Sequence, residues 1–128
     1  MSITRISTPN APTPAGHYAQ STVHNGTVYV AGQLSIDPAT GEKLKGSIEE
    51  QTERTLRNVE AILHAAGSDF AHVLKMNVYV TDIAFWPRVN AVYAQVVGSE
   101  MPARAVVPVP ALNHGLLIEI DAIAAVKR

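Results

Sequence analysis

Arg104 stands between Ala103 and Ala105 at the entrance to an otherwise apolar stretch, residues 103–107, and Glu119 and Asp121 lie two apart in a second apolar stretch a few residues later. A charge among small apolar residues is costly unless it is paired. The planar guanidinium fork matches a carboxylate in a way that lysine does not. Residues two apart on a strand share a face, so Glu119 and Asp121 can position a water and move a proton. The set reads as a small-molecule site at sheet ends that holds a carboxylate and steers a water. Blander readings stay open: a solvated Arg104, a solvated acidic edge, or an ion pair between them. A glycosidase pair is weak, because no aromatic surface for stacking a sugar accompanies the carboxylates.

The remaining chemistry-bearing residues point the same way. His17, His24, His64, His72 and His114 are the five histidines, and their spacing makes no metal site. His17 and His114 fall in loops and can line a cleft. Gly32 lets a ligand approach strand backbone closely, or is a bulge. There is no phosphate loop, dinucleotide fingerprint or serine elbow.

Composition narrows the classes further. The chain has 128 residues, 47% hydrophobic and 16% charged, with a formal net charge of -1. That is a globular composition of one domain, residues 1–128. The charge balance offers no basic stripe for RNA or DNA and no patch for an anionic membrane. Cysteine is absent, which fits a cytoplasmic setting and removes thiolate chemistry. Residues 1–7 have no apolar run, so no leader is expected, and no apolar run is long enough to span a bilayer.

The elements that must position these residues follow from pattern. Asn25-Gly26 joins strands at 21–24 and 27–31 in a hairpin, after an irregular lead-in at 8–16. Ser47 and Glu50 form a capping box for a helix over 48–66, with Ile48, Leu56, Val59, Ile62 and Leu63 at helical spacing and Gly67 as the stop. A strand follows in which Leu74, Met76, Val78 and Val80 alternate with polar residues. Asp82 caps what comes next, and Pro87 suits the first turn of a second helix ending at Gly98. The last strands cover 103–107 and 116–126. The strand–helix–strand segment predicts a parallel pair. The class is α+β: a mixed sheet of five to six strands with two helices on one face. The last strand reads as apolar on both sides, which predicts that another subunit covers the open face. Cover by the N-terminal segment is the alternative.

The chain resembles the YjgF/Rid family of reactive-intermediate deaminases nearly end to end. The matching residues are Tyr18-Ala19-Gln20, Val30-Ala31-Gly32-Gln33, Gln51 through Asn58, Ala66-Gly67, Val89 through Tyr93, Pro102-Ala103-Arg104 and Ile118 through Ala124. The resemblance implies a chorismate-mutase-like fold assembled as a homotrimer with sites between subunits. It implies hydrolysis of 2-imino and enamine acids to 2-keto acids and ammonia, without a cofactor. By position, Arg104 would bind the substrate carboxylate, Glu119 would hold the attacking water, and Tyr18 would line the pocket. Asn90 would lie near the cleft, and backbone N–H groups at Gly32 and Val106 would meet the ligand. His17, Ala31 and Val106 depart from the Pro, Ser and Cys of the best-studied branch. The pocket would therefore be more apolar, and a larger enamine acid of the 2-aminomuconate type is a second substrate reading. A small-carboxylate regulatory module, a ribonuclease and a chorismate mutase are the other functional readings.

Overall fold

The structure, a computed structural model, describes residues 2–128. Its first helix starts where the capping box predicts. In α1 (Ile48–Ala65) the Ser47 hydroxyl accepts from the Glu50 N–H, and the Glu50 carboxylate accepts from the Ser47 N–H. Both bonds satisfy donors that the first helical turn leaves unpaired. The helix buries Ile48, Leu56, Val59, Ile62 and Leu63. The second helix, α2 (Trp86–Val97), opens with Pro87 in its first turn and buries Val89, Tyr93 and Val97.

Six strands form one mixed sheet: β1 (Thr4–Ile6), β2 (Ser21–His24), β3 (Thr27–Gln33), β4 (Val73–Val80), β5 (Ala103–Pro108) and β6 (Ile118–Ala125), in the order β1-β2-β3-β6-β4-β5. The β2–β3 turn uses Asn25 and Gly26 at φ 51° and 76°, as a primed turn requires. β4 and β5 run parallel across the α2 connection, and every other pair is antiparallel. The last strand therefore inserts between β3 and β4. Ile118, Ile120, Ala122 and Ala124 of β6 are buried in one core with residues of both helices.

Several expectations change. β1 was not expected. β3 reaches Gln33, and β6 is shorter than 116–126. Leu74 is exposed and Val73 buried, because the β4–β6 register shifts between Val73 and Lys75 and resets the alternation. The outer side of β6 is not apolar throughout: Leu117 and Ile123 share it with Glu119 and Asp121, all half-buried. It belongs to the sheet face that the helices leave open, where Tyr29 and Val107 are also exposed. The irregular segment at 8–16 is pinned by buried Gln20. Its amide donates to the carbonyls of Thr8, Ala11 and Pro12 and accepts from the Thr8 N–H.

Candidate active site

Arg104 projects from β5, the strand at the sheet's edge. It pairs with Met76 in register and so lies on the helix side of the sheet. Its Cζ sits 4.4 Å from the centroid of the Trp86 ring and 4.7 Å from that of Tyr93. Its Nη1 donates to Asn90 Oδ1 at 3.1 Å. A hollow of about 500 Å³ opens beside it, lined by Asn90, Tyr93, Met101 and Pro102 among others. Val106, two residues on, shares this face and packs against the core. Among the described residues Arg104 makes no ion pair, so its charge is available to a ligand.

Glu119 lies on the other face. It pairs with Tyr79, on the side away from the helices. Its carboxyl has no hydrogen-bond partner among the described residues and is pushed above the ordinary carboxylate range, first by burial and then by the charge of Asp121. Asp121 is engaged instead: Asn77 Nδ2 donates to it at 2.7 Å and the Tyr79 hydroxyl at 3.1 Å. Burial and Asp121 together raise the Tyr79 hydroxyl. The two carboxylates thus divide into a satisfied structural one and a free one suited to proton transfer.

Glu119 faces a bulge. The β3–β6 register runs Val30↔Ala122 and then Gln33↔Ile120, so Ala31 and Gly32 together oppose Asp121. A Cβ on Gly32 would overlap the Glu119 carboxylate, with Cδ at 3.0 Å. Tyr18, half exposed, shares a small hollow with Gly32, Gln33 and His114. The Ala31 N–H is taken by the Gln20 carbonyl at 2.9 Å. His17 is exposed beside Arg5 and does not line the Tyr18–Gly32 hollow. His114 does line it, at φ 65° in the left-handed region.

Within one chain the expected residues therefore fall into two groups: Arg104, Asn90 and Val106 on the helix side of the edge strand, and Glu119, Gly32, Ala31 and Tyr18 by the bulge. β5 and β6 are separated by β4, roughly 10 Å at ordinary strand spacing, and the two key side chains leave opposite faces. Pattern reading missed Trp86 and gave Tyr93 no role at the site. The available signal was two aromatic residues seven apart on the helix before Arg104. Among the described residues no cluster of three His, Asp or Glu side chains is placed to hold a metal ion.

A helix-backed mixed sheet, with an unpaired guanidinium on its edge strand and an unpaired carboxyl beside a bulge, makes this an α+β protein. The chain belongs to the YjgF/Rid family, and the family model described as Endoribonuclease L-PSP matches residues 8–126. It is 44% identical over 119 residues to the 2-iminobutanoate/2-iminopropanoate deaminase of Bos taurus, covering 93% of this chain and 87% of that protein. It is 45% identical over 119 residues to a RutC family protein of Pyrococcus horikoshii, covering 93% and 94%. The structure of E. coli TdcF with bound serine superposes with a TM-score of 0.92 at 33% identity, covering 97% of this chain and 99% of that one.

Proposed function

We propose that this protein is a cofactor-independent deaminase. It hydrolyses 2-imino and enamine acids of the 2-aminoacrylate/2-iminopropanoate type to 2-keto acids and ammonia, at sites shared between protomers of a cytoplasmic homotrimer. The observation that carries the reading is the placement of Arg104 and Glu119 on opposite faces of one sheet. A three- or four-carbon acid cannot bridge both within one chain, so Arg104 of one protomer meets Glu119, Gly32 and Tyr18 of the next. The open face, with Tyr29 and Val107 exposed, supplies the surface to be covered. The deaminase relative and the serine held by TdcF support a small substrate with a carboxylate for Arg104.

The chemistry asks little of the protein, because an imine carbon is already electrophilic. Arg104 fixes the substrate carboxylate through a charge-assisted bond worth roughly 1.5–3 kcal/mol. An enamine first takes a proton at C3 to become the imine. Glu119 then accepts a proton from water as the water oxygen bonds to the imine carbon, and returns it to nitrogen. The new hydroxyl then gives its proton through Glu119 to the amino group, the C–N bond breaks as the carbonyl forms, and ammonia leaves. Tyr18 closes the pocket wall.

A larger enamine acid is the second reading. The Tyr18–Gly32 hollow shares Pro12, Thr13, Ala15, Ile36 and His114 with a wider one of about 310 Å³ that reaches Lys43.

The test generates 2-aminoacrylate from serine with a pyridoxal-phosphate dehydratase and follows pyruvate release. The protein accelerates release over buffer, and Arg104→Ala abolishes the acceleration while keeping the assembly. A folded oligomer that accelerates neither this substrate nor a longer or dicarboxylic enamine acid overturns the reading.

A further inference from the structure

Arg104 hangs from the outermost strand between two alanines, which give its long side chain no restraint. A guanidinium clamps a carboxylate well only if the fork is held before the ligand arrives. One stripe of α2 does the holding. Trp86, Asn90 and Tyr93 recur at i, i+4 and i+7, so they project along one side of the helix. The two rings lie 4.4 Å and 4.7 Å from the guanidinium carbon, and Asn90 takes one N–H at 3.1 Å. Rings engage the π faces of a guanidinium, and Asn90 uses only one of its five N–H groups. The remaining donors point along the plane, where a carboxylate binds.

We propose that Trp86 and Tyr93 are positioning residues that hold Arg104 as a preformed carboxylate fork, acting through the guanidinium and not by touching substrate. This rests on the deaminase reading. Tyr93 is only 6% exposed, and its hydroxyl also faces the guanidinium: burial raises the hydroxyl's pKa while the adjacent Arg104 charge pulls it down. Trp86 packs against the guanidinium from the first turn of α2, where Pro87 fixes the backbone.

The experiment combines steady-state kinetics with indole emission, since Trp86 is the chain's single tryptophan. Trp86→Leu raises KM about 5- to 30-fold, the reach of a partly desolvated cation–π contact, and Trp86→Phe restores most of the loss. Wild-type KM in Trp86→Leu, or a Trp86→Phe variant that recovers none of the loss, overturns the proposal. Emission of the free protein reads the stack without any substrate: it shifts in Arg104→Ala, and an unchanged spectrum overturns the proposal. If that shift is present but wild-type protein turns over no imine or enamine acid, the stack stands and the deaminase reading falls.

Discussion

Gly32 and Glu119 face each other across the β3 bulge so closely that the glycine's missing side chain is what gives the carboxylate its place. The obstructing atoms belong to the flexible end of Glu119, and the backbone at Gly32 is not in the left-handed region. Gly32→Ala therefore displaces the carboxylate with little strain, and its stiffer unfolded chain offsets part of any loss. The variant is expected to melt within a few degrees of wild type and to lose at least about tenfold in kcat, on the scale of misplaced acid–base groups. Calorimetry beside the coupled pyruvate assay measures both. Wild-type turnover would remove Glu119 from the mechanism as placed.

The raised pKa of Glu119 has a stability consequence with a definite sign. Burial disfavours the ionised form in the folded state, with Asp121 adding to it. Stability from this group is therefore full below its unfolded value, near the reference 4.5, and is lost as pH rises through the higher folded value. Glu119→Gln is expected to melt higher than wild type at pH 7, by about 3–6 °C for each kcal/mol relieved, with the gap closing below pH 4.5. Its turnover falls roughly 10²- to 10⁴-fold. Thermal melts across pH decide the matter; a gap that widens in acid contradicts the assignment. The kcat/KM profile of wild type should lose its acid limb at a pH above the ordinary carboxylate range.

Asp69 carries the opposite sign. His72 Nδ1 lies 2.6 Å from Asp69 Oδ1 and Lys127 Nζ 3.6 Å from Oδ2. The hydrogen bond from His72, and then the charges of His72 and Lys127, hold the carboxyl below its reference 3.8. The stability it contributes is present above that value and disappears as pH falls through the lower folded value. Both side chains are partly exposed, so Asp69→Asn should cost no more than about 1 kcal/mol at pH 7. The difference should shrink toward zero in strong acid, which denaturant titrations at pH 7 and pH 3 would check.

Local chemistry made part of this fold legible before the coordinates. The Ser47–Glu50 box, the Asn25-Gly26 turn and the glycine stops at 67 and 98 act over a few residues, so pattern finds them. β1 did not show, because three residues cannot establish an alternation and their pairing to β2 is supplied by tertiary structure. The phase of Leu74 failed at a bulge, and the insertion of β6 between β3 and β4 is a long-range pairing with no local signature. The same limit applies to the site. Arg104, Glu119 and Gly32 stood out by type and setting. That Arg104 and Glu119 leave opposite faces depends on strand parity across three strands, and the Trp86–Arg104–Tyr93 stack depends on how α2 lies over β5.

That parity makes a prediction about mixed oligomers. Arg104→Ala and Glu119→Gln should each be inactive alone, since every site lacks one group. If sites form between protomers, a hybrid assembly contains some junctions where an intact Arg104 meets an intact Glu119. Random mixing of equal amounts restores about one quarter of wild-type sites in a cyclic homo-oligomer. If both groups served a site within one chain, no mixture could restore any, because each chain carries one defect. Co-expression with two affinity tags isolates the hybrids, and the pyruvate assay reads the recovery. Verified hybrids with no activity above the separate variants would confine the site to a single chain, and the geometry of β5 and β6 would then forbid the pairing of Arg104 with Glu119 altogether.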